Sequence, residues 1–224
     1  MGYYLDFSSI TIDQYKEKLK RKTMIPSRMI LKENLDERFS YFKSLGIKNV
    51  LELEKILKKK EKVRELAKEK CLSEDFLIAL GRELKAIQPK PRKFKDFLGI
   101  SEETISKLEK NGIKSTKHLY DKVITKNDRK ETAKATGINE EEILDLTKLT
   151  DLTRIQWVNG TFASVLYEAG YDTVEKVVKA DYEELYNTVK KLNAERKLYK
   201  GNIGLNDMKI LVEAAGEVPQ DIEF

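Results

Sequence analysis

The side chains of this sequence best suited to ligand chemistry are basic, and they form two short clusters. Several cations this close together favour contacts with the phosphates of a nucleic-acid backbone, which give salt-sensitive binding without reading the base sequence. Acids interleaved at Glu61, Glu65 and Glu69 favour a second interpretation, in which the first cluster is only a solvated helical face. The candidate nucleic-acid-binding residues are Lys58, Lys59, Lys60, Lys62 and Arg64 in the first cluster, and Arg92, Lys93 and Lys95 in the second.

Charge is distributed unevenly along the chain, although the net charge is only +5. Residues 1–95 hold 24 Lys and Arg against 14 Asp and Glu, whereas residues 96–150 hold 10 against 11. Residues 151–224 are acidic, with 9 basic and 13 acidic side chains. A polyanionic partner is therefore expected to meet the N-terminal half of the chain.

Catalytic and metal-binding chemistry has little support in the sequence. The only histidine is His118, the only cysteine is Cys71, and no glycine-rich phosphate loop occurs. We therefore expect a protein that is not an enzyme, with no cofactor, no metal site and no small-molecule substrate. No apolar run approaches the roughly 18 residues of a membrane span, and the N-terminus does not resemble a signal peptide. The expected location is the cytoplasm, with no membrane partner.

The elements that must position these side chains are predicted to be short helices. Apolar residues recur at helical spacing, and no stretch shows the alternation of a strand. Asp13 is predicted to cap a first helix that runs to about Lys22. Pro89-Lys90-Pro91 reads as a stiff linker, because each proline restricts the residue before it. The predicted fold class is all-α.

The helical pattern repeats along the chain. At an offset of 66 residues, Gly46-Ile47 matches Gly112-Ile113, and a third copy at an offset of 58 matches Gly112 with Gly170. Helix starts at Ser73, Asn139 and Asn206 also correspond. The sequence thus predicts three tandem repeats, with an insertion between about residues 178 and 203. The predicted divisions are an N-terminal helical arm (1–33), a divergent first repeat (34–93), a second repeat (94–150) and a third repeat (151–224).

The best-defined unit is residues 151–170, which we predict to be a short helix, a hairpin at Gln156–Asn159 and a second helix ended by Gly170. Trp157 at its centre has two interpretations. A large aromatic side chain commonly packs into a neighbouring unit, but tryptophan is also enriched among the residues that anchor protein partners. The candidate hairpin or partner-contact residues are Gly99, Trp157, Asn159 and Gly160.

The apolar residues of this unit match the helix-hairpin-helix motif of DNA repair and recombination proteins, with Ile155, Val158, Ala163, Leu166 and Ala169-Gly170 in the motif positions. The stretch from about 94 to 215 is similar to an uncharacterised bacterial domain-of-unknown-function family built from tandem helix-hairpin-helix (SAM-like) units. The phrases that carry this similarity are Asp151-Leu152-Thr153-Arg154-Ile155, Ala180-Asp181, Leu192-Asn193-Ala194-Glu195 and Leu205-Asn206-Asp207-Met208.

The resemblance implies hairpin glycines whose backbone N–H groups approach a phosphate. This sequence departs from that pattern, because Trp157 stands at the first glycine position and Asn159 at the second. Asn159 can adopt the left-handed conformation of a glycine, whereas an indole would obstruct a sugar-phosphate backbone. Carboxylates follow most of the other hairpins, as at Glu102-Glu103 and Glu140-Glu141-Glu142. These hairpins are therefore expected to be structural joints.

Two functions remain open from the sequence. In the first, the protein is a non-catalytic helix-hairpin-helix binding protein that holds a DNA or RNA backbone through its basic N-terminal half. In the second, it is a protein–protein adaptor or scaffold that uses the repeat surface and Trp157, without binding nucleic acid.

Overall fold

The computed structural model describes residues 2–224, and these residues form an all-helical protein. Within residues 2–224 no strand occurs, and the isolated bridge between Thr11 and Asn49 is the one β-type contact. The predicted all-α class is therefore confirmed. The chain forms two compact units: an N-terminal unit, Asp6–Gln88, and a C-terminal unit, residues 2–5 with Pro89–Phe224. The division at Pro89 coincides with the start of the predicted linker.

The N-terminal unit contains five α-helices and one 3-10 helix at Pro26–Lys32. Its core is built from aromatic side chains, among them Tyr15, Phe39, Phe42 and Phe76, which are all fully buried. The helices are α1 (Ile12–Arg21), α2 (Leu35–Ser44), α3 (Val50–Leu57), α4 (Lys60–Leu66) and α5 (Glu74–Ile87).

The cap of helix α1 is Thr11, two residues before the predicted cap Asp13. The Thr11 hydroxyl accepts a hydrogen bond from the Gln14 N–H (3.2 Å), and the Gln14 side-chain oxygen accepts one from the Thr11 N–H (2.8 Å). This reciprocal pair satisfies two backbone donors at once. Asp13 instead lies in the first turn, where its carboxylate pairs with Lys43 at 2.7 Å.

The C-terminal unit contains a short 3-10 helix, Phe94–Asp96, and eight α-helices. Helix α9 packs against α7, α8 and α10, and α13 packs against α11 and α12. Their apolar faces enclose one buried cluster that includes Leu108, Leu119, Ile143, Leu166 and Val189. The helices are α6 (Glu102–Lys110), α7 (Thr116–Tyr120), α8 (Lys126–Thr136), α9 (Glu140–Leu152), α10 (Gly160–Glu168), α11 (Val174–Lys179), α12 (Tyr182–Arg196) and α13 (Leu205–Ala215).

One turn occurs three times, between α2 and α3, between α6 and α7, and between α10 and α11. Each contains a glycine with positive φ (Gly46 +79°, Gly112 +76°, Gly170 +88°), a conformation in which any other side chain would be strained. Each also closes with a backbone hydrogen bond across six residues, which satisfies a carbonyl at the helix end. These bonds run from Ile47 N to Phe42 O (3.2 Å), from Ile113 N to Leu108 O (2.9 Å) and from Tyr171 N to Leu166 O (2.9 Å).

The predicted boundaries between repeats stay predictions, but each can be compared with the observed ends of the helices. The boundary between 150 and 151 lies inside α9, which runs unbroken to Leu152. The predicted start at Asn206 is displaced, because α13 begins at Leu205 and the Asp207 carboxylate accepts a hydrogen bond from Gly204 N at 2.8 Å. The predicted insertion corresponds to the long helix α12, capped by Asp181, and the segment after it.

Candidate functional site

A basic groove lies in the N-terminal unit where α3, α4 and α5 pack against one another. It encloses about 620 Å³, and its floor is apolar because the three helices contribute Leu57, Val63 and Leu77. Ile78 and Gly81 also line the groove along α5, where Ile78 is exposed. The polar lining residues are Glu54, Lys58, Lys60, Arg64, Glu74, Arg82 and Lys85.

Positive charge predominates in this basic groove. Lys58 is paired with Glu54 on the same helix, with 2.9 Å between Nζ and the carboxylate oxygen. The other four cations make no ion pair or hydrogen bond with any part of the chain within residues 2–224, so their charge is available to a ligand. These four residues are Lys60, Arg64, Arg82 and Lys85.

The structure brings together only part of the first predicted basic cluster. Lys58, Lys60 and Arg64 line the basic groove, whereas Lys59 and Lys62 do not. Lys62 is exposed and pairs with Glu65 at 2.8 Å. Sequence reasoning missed Arg82 and Lys85, which lie four and seven residues after Ile78 on one face of α5. Their helical spacing was the available signal.

The second predicted cluster belongs to the C-terminal unit. Arg92 is half-buried, and its Nη2 donates a hydrogen bond to the Val158 carbonyl oxygen at 3.3 Å. This guanidinium therefore holds the hairpin in place. Lys93 and Lys95 are exposed; Lys93 precedes the short 3-10 helix Phe94–Asp96, and Lys95 lies within it.

The hairpin before α10 adopts its turn in an unexpected way. The left-handed residue is Trp157, with φ +69°, and the expectation that Asn159 would take this conformation is wrong. Asn159 has φ −98° and caps α10, its side-chain oxygen accepting a hydrogen bond from Phe162 N at 2.8 Å. The turn before α6 has Gly99 at φ +78°, two residues before the cap Ser101, as Trp157 stands two residues before Asn159.

The first turn of α10 is covered by the chain itself. A Cβ atom at Gly160 would lie 2.7 Å from the Asp96 carbonyl oxygen and 3.1 Å from the Asp96 Cβ. The Thr161 hydroxyl donates to the same carbonyl at 3.3 Å. A sugar-phosphate backbone therefore has no direct approach to this helix start, and Gly160 serves close packing.

Replacing Gly160 with alanine is expected to destabilise the protein by about 1–3 kcal/mol, because the new methyl group must displace the backbone of Asp96. Urea unfolding followed by circular dichroism measures this change. Gly81→Ala is the matched control, since its Cβ would meet Leu57 Cβ at an ordinary 3.6 Å inside α5. We expect that variant to gain up to about 1 kcal/mol from helix propensity. Equal stability of Gly160→Ala and the wild type would contradict the close packing.

The Trp157 side chain is 44% exposed, so the interpretation that it packs into a neighbouring unit is wrong. It stands at the rim of an apolar pocket of about 260 Å³ in the C-terminal unit. Phe162, Tyr199 and Met208 also line this pocket. The exposed indole is thus the hairpin feature that a protein partner could reach.

Other candidate chemistry has local explanations. His118 Nδ1 lies 2.9 Å from the Ser115 hydroxyl at the start of α7, and Cys71 is half-buried as a free thiol. Within residues 2–224 no group of three His, Cys, Asp or Glu side chains is arranged to hold a metal ion. In the same residues, no helix combines the length and the apolar character needed to cross a membrane.

The helices and the basic groove define an all-helical protein with a cationic surface on one unit and an exposed tryptophan on the other. The chain belongs to the family described as Domain of unknown function (DUF4332), whose model matches residues 98–218, more than half of the sequence. The predicted resemblance to a domain-of-unknown-function family is thereby confirmed. No curated protein and no solved structure matches the chain.

Proposed function

We propose that the protein is a non-catalytic nucleic-acid-associated protein that holds a DNA or RNA backbone in the basic groove of its N-terminal unit. The observation that carries this proposal is the convergence of Lys60 and Arg64 with Arg82 and Lys85 on one groove, all four without an ion pair in the described chain. Phosphate oxygens are the ligands that such a set of unpaired cations attracts most strongly.

Two features of the basic groove support binding that is independent of base sequence. No aromatic side chain lines it, so it offers no surface on which bases can stack. Its cations project from two helices beside an apolar floor, and no amide side chain lines the groove to read base edges. Phosphate contacts therefore supply the affinity, and the binding is expected to weaken steeply with salt.

In this proposal the repeated turns are tandem helix-hairpin-helix units that act as structural joints. The three glycine turns with the same hydrogen-bond pattern, spaced by 66 and 58 residues, support the tandem arrangement. The covered start of α10 and the acids Glu102 and Glu140 in the first turns of α6 and α9 support a structural role. In this proposal the phosphates are bound by side chains of the N-terminal unit instead.

The test is fluorescence anisotropy of labelled single-stranded and double-stranded DNA and RNA with the full chain, at salt between about 50 and 200 mM. We expect binding that falls roughly a hundredfold over this range, as about four phosphate contacts would require. The triple charge reversal Lys60→Glu, Arg64→Glu and Arg82→Glu is expected to abolish it.

The matched control reverses three exposed lysines of the C-terminal unit, Lys130, Lys134 and Lys191, and so changes the net charge by the same amount. This control is expected to keep most of the affinity. Equal loss in both triple variants would mean that only net charge matters, and no salt-dependent binding by the wild type would overturn the proposal.

A second candidate function is a protein–protein adaptor, and the exposure of Trp157 favours it. A tryptophan side chain 44% exposed beside an apolar pocket has the form of a partner anchor. This candidate uses the C-terminal unit and needs no nucleic acid. The triple charge reversal in the basic groove is expected to leave it unchanged.

A further inference from the structure

The pocket beside Trp157 combines aromatic walls with a buried apolar floor. The rings of Phe162 and Tyr199 lie 5.4 Å apart between centroids and form one side. Trp157 forms part of the rim, and it is more exposed than either of the other two aromatic side chains. The buried lining residues are Gln156, Val158, Met208, Ile210 and Leu211.

The same pocket has a negative end. Asp207 is the one charged residue among those that line it, and its carboxylate accepts a hydrogen bond from Gly204 N at 2.8 Å. Within residues 2–224 Asp207 takes part in no ion pair. The surrounding sequence, residues 151–224, also carries an excess of acidic side chains, 13 against 9 basic. A ligand that matches this pocket is cationic at one end and apolar along its length.

The backbone of Trp157 lies in the left-handed region, as do those of Asn34 and Lys197, but Trp157 has the bulkiest side chain of the three. A φ of +69° is unfavourable for a bulky side chain, and Gly99 supplies the same conformation without strain in the turn before α6. Strained residues of this kind cluster at functional sites, where the surrounding structure maintains them. Trp157 keeps this unfavourable backbone conformation, and its indole is exposed to solvent.

We propose that this pocket binds an arginine side chain of a partner protein, with the arginine flanked by apolar residues. The guanidinium stacks on the Trp157 indole and pairs with the Asp207 carboxylate, while the flanking apolar residues cover the floor. The proposal rests on the adaptor function, of which it names the class of partner, and it is independent of the basic groove.

The experiment titrates the full chain with the peptide acetyl-Ala-Leu-Arg-Leu-Ala-amide and, in parallel, with acetyl-Ala-Leu-Glu-Leu-Ala-amide. Trp157 is the single tryptophan, so its emission reports directly on the pocket. We expect a saturable change with the arginine peptide and about tenfold weaker binding of the glutamate peptide, from the combined cation–π and ion-pair contributions. Asp207→Asn, which keeps an oxygen acceptor for Gly204, should remove most of that preference.

Trp157→Gly separates binding from folding, with dye-labelled peptide anisotropy as the readout. Because glycine adopts the positive φ without strain, this variant should keep a cooperative thermal unfolding transition and yet lose the peptide. Equal affinity for the two peptides would support an apolar adaptor pocket and overturn the arginine assignment. If neither peptide binds, the adaptor pocket itself is overturned. Nucleic-acid binding by the triple variant of the basic groove tests a different site, so its loss neither supports nor contradicts the adaptor pocket.

Discussion

Replacing Glu83 with alanine is expected to destabilise the N-terminal unit by roughly 3–5 kcal/mol. The Glu83 carboxylate is fully buried, with one oxygen 2.7 Å from Lys22 Nζ and the other 3.5 Å from Arg28 Nε. Both cations are largely buried as well, so the variant removes a carboxylate that pairs with two charges in a region of low polarity. Chemical unfolding followed by circular dichroism measures the loss.

The neighbourhood of Glu83 carries an excess of positive charge, which makes this carboxylate hard to replace. Burial lowers the pKa of Lys18 to about 8, and the nearby charge of Lys22 acts in the same direction. Glu83 opposes both effects, because its negative charge raises the pKa of Lys18. Removing Glu83 therefore increases the excess of positive charge around Lys18 and Lys22.

Two further variants separate the loss of the Glu83 charge from the loss of its side-chain volume and from the removal of any acidic residue. Glu83→Gln keeps the volume and a hydrogen-bond acceptor but removes the charge, so we expect a smaller loss than for alanine. Glu61→Ala removes an exposed acid from α4 and should change stability by no more than about 0.5 kcal/mol. A Glu83→Ala variant as stable as Glu61→Ala would show that the buried cations do not depend on this carboxylate.

Local signals explain why much of the fold could be predicted from the sequence. The turns at Gly46, Gly112 and Gly170 close through hydrogen bonds across six residues, so a glycine after an apolar helical stretch is sufficient to predict them. The same holds for the predicted caps Ser73 and Asn139, whose side chains accept a hydrogen bond from the backbone N–H three residues on. Helical periodicity and the absence of strand alternation then determine the all-α class.

Tertiary contacts explain what the sequence could not reveal. The hairpin turn alone favours asparagine over tryptophan in the left-handed conformation, yet Trp157 has the positive φ and Asn159 caps α10, whose first residue, Gly160, packs on the distant Asp96. Arg64 and Arg82 share the basic groove only because α4 packs against α5. Neither relation is visible in a pattern that spans a few residues.

The phrase Asp151-Leu152-Thr153-Arg154 carried part of the family resemblance, and the structure gives it a physical role. Arg154 Nη1 donates a hydrogen bond to Asp151 Oδ1 at 2.8 Å, and both side chains are buried. The Arg154 guanidinium also lies 4.6 Å from the Tyr120 ring centroid, and its Nη2 is 3.6 Å from Asp221 Oδ2. One arginine thus joins the end of α9 to the C-terminal segment.

Arg154→Leu is expected to destabilise the C-terminal unit by roughly 3–5 kcal/mol at neutral pH, because it leaves the buried Asp151 carboxylate without its partner. Chemical unfolding of the full chain measures this loss.

Arg154→Lys keeps the charge but not the planar contact with Tyr120, so its loss of stability should be smaller. In the double variant Asp151→Asn with Arg154→Leu, part of the stability should return, because no unpaired carboxylate remains. Additive losses in the double variant would contradict the coupling.

The contribution of Asp151 to the free energy of unfolding is expected to change with pH, which apolar packing alone would not produce. Burial raises the pKa of the Asp151 carboxyl from 3.8 to about 6, although Arg154 acts in the opposite direction. Because the folded protein holds this proton more tightly than the unfolded chain, the carboxyl contributes most stability below about pH 4, and this contribution is lost as the pH rises through about 6. The difference in unfolding free energy between the wild type and Asp151→Asn should therefore fall by roughly 2 kcal/mol from pH 4 to pH 7. The comparison cancels the other carboxyl groups, which both proteins share. A difference that rises over this range would mean that the pair with Arg154 stabilises the charged carboxylate more than burial opposes it.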